Sequence, residues 1–305
     1  MSTLIIQHDD CLRHNPGEGH PESPQRVNAV LSGLKGLKNL QHLPAPLATT
    51  EQLTRVHPID FWAGLKALEP SDGSVAIDPD TYLSNGSIDA ALRASGGLCF
   101  AIDQVLADEA LRAFCVTRPP GHHSEPELAM GFCSINHVAI GAMQALEYPD
   151  IRRVAIIDFD VHHGNGTQAV FEQNPDVMYV SSHQMPLYPG SGHIDETGSG
   201  NIMNLPLAPG DGGAAFRKSW RTQGLPAIAV FEPDLILISA GFDAHQRDPL
   251  AQVELTDADF HWITRNICDL ATDCCRGRVV STLEGGYDMQ ALATAGRAHV
   301  EGLAL

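Results

Sequence analysis

Five short apolar runs, separated by stretches of helical period, constrain this chain more than anything else in it. They are Ala113-Phe-Cys-Val-Thr117, Val154-Ala-Ile-Ile157, Val177-Met-Tyr-Val-Ser181, Leu235-Ile-Leu-Ile-Ser239 and Val279-Val-Ser-Thr-Leu283. Each is continuous rather than alternating, the pattern of a parallel strand covered on both faces. Helical periodicity intervenes at roughly residues 88–106, 135–146, 214–231, 258–272 and 289–303. Strands alternating with helices predict an α/β protein with a parallel sheet flanked by helices on both faces. The stretches 15–24, 70–86, 121–131 and 184–200 are rich in Gly, Pro, Ser or Asp and read as loops. No internal repeat or Ser/Gly-rich linker divides the chain, so residues 1–305 are read as a single domain.

Reactive side chains follow four of the five runs. After 113–117 comes Arg118-Pro-Pro-Gly-His122-His123, and after 154–157 comes Asp158-Phe-Asp160-Val-His162-His163. Run 235–239 leads into Ala240-Gly-Phe-Asp243, and 279–283 into Glu284-Gly-Gly-Tyr287. Ligands of open α/β sheets bind at the carboxyl ends of the strands. Four strands therefore deliver Asp, His and Tyr to one edge.

Asp158, Asp160 and His162 are spaced i, i+2, i+4, so on extended backbone they point the same way and can converge on one ion. Asp243 completes a mixed set of carboxylates and imidazole. Such donors suit a catalytic Zn²⁺ with an open position, and equally Fe²⁺, Mn²⁺ or Co²⁺. Spacing alone does not choose which of the four bind. His122 and His123, aimed by the preceding Pro-Pro-Gly turn, are candidates for general acid and base work beside the ion. Tyr287 follows two glycines that allow close backbone approach and leave the phenol free to hydrogen-bond an oxyanion.

Charge and cysteine content narrow the setting. With 19 basic and 37 acidic residues the net charge is −18, which repels a phosphate backbone and disfavours nucleic acid as a direct partner. A cationic substrate or a lysine-rich protein fits better. Seven cysteines, an odd number with no C-x-x-C spacing, point to a reducing compartment. The first ten residues lack a basic leader region and no run of about 18 apolar residues occurs, so a soluble, cytoplasmic protein with no membrane partner is expected.

These motifs together resemble the histone deacetylase family, in particular its class II and bacterial histone deacetylase-like members. The resemblance runs from His20-Pro-Glu-Ser-Pro-Gln-Arg26 to Tyr287. It takes in Gly131-Phe-Cys133, Asp158-Phe-Asp-Val-His-His-Gly-Asn-Gly166, Leu187-Tyr-Pro-Gly-Ser-Gly192 and Leu283-Glu-Gly-Gly-Tyr287. It implies the arginase/deacetylase-like fold, residues 1–305 forming one catalytic domain, and hydrolysis of the amide of N-acetyl-lysine or a related acyl-lysine. Carried over by position, it makes Asp160, His162 and Asp243 the zinc ligands and pairs His122 with Asp158 and His123 with Asn165. It further implies a monovalent cation, usually K⁺, near Asp158, Asp160, His162, Ser181 and Ser182. An acyl-lysine tunnel would be walled by Gly131, Phe132 and Tyr188, with Arg26 near its foot. Asp80, or its neighbour Asp78 in the same Asp-Pro-Asp turn, would grip substrate backbone at the rim.

Two departures from the family pattern matter. Tyr188 stands where class I members commonly carry Phe, which predicts a slightly more polar tunnel. Relatives specialised for acetylpolyamines tend to carry an acidic gatekeeper after the third ligand, where this chain has Asp248-Pro-Leu250. Leu250 favours acyl-lysine over polyamine. The rival readings are an acetylpolyamine or other small-molecule amidohydrolase on the same scaffold, and a catalytically idle acetyl-lysine-binding protein. The His pair and Tyr287 argue against the last. The oligomeric state stays open.

Overall fold

All five apolar runs become strands, and they join three more in one eight-stranded sheet. The structure, a computed structural model, describes residues 2–304. Its strands are β1 (Thr3–Gln7), β2 (Leu40–Pro44), β3 (Ser74–Ala76), β4 (Tyr82–Ser84), β5 (Arg112–Cys115), β6 (Val154–Asp158), β7 (Val177–Gln184), β8 (Ile202–Leu207), β9 (Leu235–Ala240) and β10 (Val279–Leu283). The large sheet has the order β2-β1-β5-β10-β9-β6-β7-β8, and every pairing in it is parallel. Strands β3 and β4 form a separate antiparallel pair.

The pleat divides each central strand between two cores. Ala155, Ile157, Ile236 and Ile238 pack into one apolar cluster, whereas Val154, Ile156, Leu235 and Leu237 pack into another on the opposite face. Both clusters are covered by helices, and for this reason the central strands show no polar alternation. Each wholly buried aliphatic side chain contributes about 1.5–3 kcal/mol of transfer free energy.

Helices Ser87–Leu106, His137–Leu146, Asp257–Cys274 and Met289–Leu303 lie close to where periodicity predicts them. The segment 214–231 is divided instead: a π-helical stretch, Trp220–Gly224, separates the helices Gly213–Ser219 and Leu225–Phe231. Strands β1, β2 and β8 were not anticipated. Leu4-Ile5-Ile6 is too short a run to carry a period, and the two edge strands contain Pro44 and Pro206, as edges tolerate. Strand β7 also extends to Gln184, into the region expected to be loop. The helices Gln25–Gly33, Ile59–Leu68 and Asn165–Phe171 likewise have no counterpart in the sequence reading.

Candidate metal centre and active site

Because the sheet is parallel throughout, the carboxyl ends of β5, β6, β9 and β10 open on one side. Pairing of Asp158 with Ser239 and of Leu283 with Ala240 aligns the ends of β6, β9 and β10 almost level. The chain leaving β6 bends at once. The Asp160 amide N–H donates to Asp158 Oδ1 at 3.1 Å and the His162 amide to Asp160 Oδ1 at 2.9 Å. Asp243 arrives from β9 and accepts from the Val161 amide at 2.9 Å, and Gly285, just past β10, donates its amide to Asp160 Oδ2 at 2.8 Å. A Cβ at Gly285 would collide with carboxylate oxygens of both Asp243 and Asp160, so only glycine permits that approach.

The result is a compact donor set. One ligand atom from each of Asp160, His162 and Asp243 lies within 4.8 Å of the others. His162 Nδ1 stands 3.1 Å from Asp160 Oδ1 and 3.0 Å from Asp243 Oδ2. Two carboxylates and one imidazole suit a divalent cation and leave coordination positions open. The electrostatics agree. Burial opposes charge on His162, but hydrogen bonds and charge from Asp160 and Asp243 outweigh it and hold the imidazole up to about 10. Asp243 is pushed above the ordinary carboxylate range by burial and by the neighbouring charge of Asp160. A cation here would relieve carboxylates that a proton on His162 otherwise serves.

Asp158 is turned away from this set. Its Oδ2 lies 2.9 Å from His122 Nδ1 and accepts from the Tyr179 hydroxyl at 2.9 Å, while Oδ1 accepts the Asp160 amide. His123 Nδ1 lies 2.9 Å from Asn165 Oδ1. The two adjacent imidazoles, centroids 4.1 Å apart, thus have different surroundings. For His122, burial is overcome by the charges of Asp158, Asp160 and Glu284, which raise it to about 10. Burial and the charges of His122 and His162 push His123 well below its usual value.

A cavity of about 220 Å³ reaches this edge, lined by Asp80, His123, Gly131, Phe132, His162, Leu187, Tyr188, Leu250 and Tyr287. The backbone of its wall is unusual: Gly131 and Phe132 both have positive φ, +57° and +68°. At Gly131 a Cβ would strike the His123 ring. Phe132 is held in the left-handed region by its amide, which donates to Thr81 Oγ1 at 3.0 Å, and such strain clusters where a side chain must be aimed at a ligand. Asp80 lines the cavity and Asp78 does not. Arg26 lies beneath, its guanidinium 5.0 Å from the centre of the Tyr287 ring. Ser181 pairs in register with Asp158. The hydroxyl of Ser181 engages His183, and that of Ser182 accepts from Trp220 Nε1.

Several members of the site carried no assigned role at the sequence level. Glu22 is fully buried between Arg118, Arg26 and His14, and Arg26 donates to the backbone carbonyls of Glu284 and Gly286. Glu284 accepts from the amides of Gly121 and His122 and from Ser239 Oγ, tying the Pro-Pro-Gly turn to the end of β10. Asp248 accepts the Tyr287 amide at 2.7 Å. The spacing of Glu22 and Arg26, four residues apart, was the one local signal for this knot.

A histone deacetylase domain model matches residues 20–303. The chain belongs to the histone deacetylase family. It is 39% identical over 295 residues to a histone deacetylase-like amidohydrolase of Pseudomonas aeruginosa, covering 93% of this chain and 77% of that one. It is 37% identical over 314 residues to a chloroplastic histone deacetylase 14 of Arabidopsis thaliana, covering 95% and 74%. Among solved structures, that of the HDA15 HD domain superposes with a TM-score of 0.93 at 32% identity, over 99% of this chain and 88% of the other. The sheet and helices are those of the arginase/deacetylase fold, and the protein is a hydrolase of the deacetylase and amidohydrolase kind. Among the described residues no helix is long and apolar enough to cross a membrane.

Proposed function

We propose that this member of the family is a zinc-dependent deacylase that hydrolyses the side-chain amide of N-acetyl-lysine or a related acyl-lysine. The observation that carries the proposal is the cavity: apolar walls from Phe132, Tyr188 and Leu250 lead down to His123, His162 and Tyr287. Walls of this kind suit a methylene chain with its amide at the floor. Asp80, at the rim, offers a carboxylate to substrate backbone N–H groups. Leu250 supplies no charge for the second cationic nitrogen of a polyamine, which supports acyl-lysine over that rival.

The residues that would hold zinc are Asp160, His162 and Asp243, and when bound it supplies Lewis-acid polarisation of the carbonyl and acidifies water. Fe²⁺, Mn²⁺ and Co²⁺ suit the same donors. His123, oriented by Asn165 and kept neutral by burial, takes the proton from attacking water at Nε2 and returns it to the leaving amine. His122, paired to Asp158, stays charged and stabilises developing negative charge. The Tyr287 hydroxyl donates to the oxyanion. A monovalent cation, K⁺ by preference, is placed by the same reading near Asp158, Asp160, His162, Ser181 and Ser182. Engagement of both serine hydroxyls by His183 and Trp220 supports ligation through main-chain oxygens. Seven free thiols suit a reducing cytoplasm.

The test is turnover of a panel of acyl-lysine peptides and acylated polyamines by zinc-reconstituted protein. Higher kcat/KM on an acyl-lysine peptide than on any polyamine is expected. The reverse ordering would establish the small-molecule rival, and no turnover of either class would leave the idle binding protein.

A further inference from the structure

We infer that Glu125 decides which ring nitrogen of His123 carries the proton, acting through the side-chain amide of Asn165. The inference rests on the proposed role of His123 as proton carrier and names a positioning residue for it.

Asn165 opens the helix Asn165–Phe171, and its amide bridges two groups. Oδ1 lies 2.9 Å from His123 Nδ1, while Nδ2 donates to Glu125 Oε1 at 2.8 Å and lies 3.3 Å from Met130 Sδ. An amide has one accepting and one donating end of nearly equal size, and only its partners decide which end faces which way. A neutral imidazole adapts to either arrangement by moving its own proton between Nδ1 and Nε2. The contact between His123 and Asn165 is therefore satisfied in both senses.

Glu125 removes that ambiguity. A carboxylate only accepts, and the thioether of Met130 is also an acceptor, so the NH₂ end of Asn165 must face them. Oδ1 is left for His123, Nδ1 must donate, and Nε2 keeps its lone pair. Flipping the amide would forfeit a charge-assisted hydrogen bond and set Oδ1 against two acceptors. The lone pair on Nε2 is what a group that takes a proton from water requires.

The carboxylate is delivered by an anchored turn. The Glu125 amide donates to the Leu128 carbonyl at 2.9 Å, and the preceding Ser124 is fully buried, with its carbonyl accepting from Asn136 Nδ2 at 3.2 Å. Glu125 is not among the residues lining the substrate cavity. It lines a separate cavity of about 320 Å³ together with Met130, Asn165 and Gln168. Its influence on His123 thus runs through Asn165 rather than through substrate.

Two measurements test this. Long-range ¹H–¹⁵N spectra of zinc-loaded, ¹⁵N-histidine-labelled protein distinguish the tautomers, with His123 assigned by the signals missing in His123→Ala. The Nδ1–H form is expected in the parent. Glu125→Lys, which places a donor where the carboxylate was, is expected to draw Oδ1 toward itself and shift His123 to the Nε2–H form. A parent in the Nε2–H form, or a folded Glu125→Lys protein still in the Nδ1–H form, overturns the inference.

The second measurement is kinetic. Glu125→Ala is expected to lower kcat by about 10- to 100-fold with KM little changed, the scale of one hydrogen bond to a charged group. In an Asn165→Asp background, where no amide is left to flip and two carboxylates face each other, the same Glu125→Ala change is expected to raise kcat or leave it unmoved. Equal losses in both backgrounds would mean Glu125 only supports the fold, and would overturn the inference. An inactive parent would defeat the proposed function, and the tautomer spectra would still decide the role of Glu125.

Discussion

Replacing Asp243 with Asn exchanges one oxygen for nitrogen and removes a buried negative charge from the edge of the sheet. In the metal-free protein that charge is unfavourable, since burial and Asp160 both push the Asp243 carboxyl upward. Asn retains an Oδ1 to accept the Val161 amide, which Asp243 receives at 2.9 Å, so the tether to the β6 loop survives. The amide Nδ2 then faces His162 Nδ1, which Asp243 Oδ2 meets at 3.0 Å, and this lost contact offsets the relieved repulsion, so the metal-free variant is expected to unfold within a few degrees of the metal-free parent. Loaded protein should behave differently. Zinc at about a thousand times its dissociation constant stabilises the parent by about 4 kcal/mol. Unfolding entropy near 2.1 cal/mol/K per residue over 305 residues converts this to a rise in Tm of about 6 °C. A neutral amide is a much poorer ligand, and the variant should lose most of that rise together with its stoichiometric metal. Scanning calorimetry with and without zinc, alongside metal analysis, reads both effects. An undiminished zinc shift in Asp243→Asn would refute the ligand assignment, and a metal-free variant several degrees below the parent would refute the charge argument. The proton on His162 adds a sign. Its imidazole is held near 10 without metal, so zinc must displace that proton, and apparent affinity should rise with pH up to that value. Calorimetric titration in buffers of different ionisation enthalpy should show about one proton released near neutral pH.

Three further outcomes are expected. Tyr287→Phe should lower kcat by about 10²–10³ with KM little changed, as for loss of one oxyanion donor, and an unaltered kcat would remove Tyr287 from the chemistry. His123→Ala should be more damaging to kcat/KM across pH than His122→Ala when metal content is equal, and the opposite order would exchange their roles. Glu22→Gln should cost about 3–5 kcal/mol in denaturant unfolding, because it leaves Arg118 and Arg26 without their buried counter-charge. Burial opposes ionisation of Glu22, but Arg118, His14 and Arg26 outweigh it and hold the carboxyl well below its ordinary 4.5. Its stabilisation is thus present above about pH 4.5 and lost as pH falls below that value, and the variant should show a flatter acid limb.

How much of this was legible without coordinates follows from what each residue is for. The central strands announced themselves because burial on both faces leaves no position for a polar residue. The reactive side chains stood out because Asp, His and Tyr at strand ends serve no core. The edges of the sheet were not legible. Strand β2 is largely exposed and β8 carries Met203 and Pro206 on part-exposed positions, so neither shows the apolar continuity of a buried strand. The knot around Glu22 was equally hidden, since Arg118 lies 96 residues away and no local period encodes such a contact.

The choice among Asp158, Asp160, His162 and Asp243 shows where pattern ends and geometry begins. Spacing of i, i+2, i+4 points three side chains the same way only while the backbone stays extended, and β6 ends at Asp158. Beyond it the chain folds back, and Asp158 spends its oxygens on the Asp160 amide, His122 and Tyr179. That bend separates two carboxylates that look equivalent in sequence: Asp158 faces His122, and Asp160 faces Asp243 and His162. The same bend brings Asp160 within hydrogen-bonding reach of the Gly285 amide, so the close packing that glycine permits there positions the donor set directly. Buried like charges of this kind destabilise a metal-free fold, and the sheet edge tolerates them because backbone amides and imidazoles that follow β5, β6 and β10 converge on the carboxylates. The charge balance of this edge and its stability are therefore set by the same residues, and a substitution that relieves the repulsion should weaken the donor set it relieves.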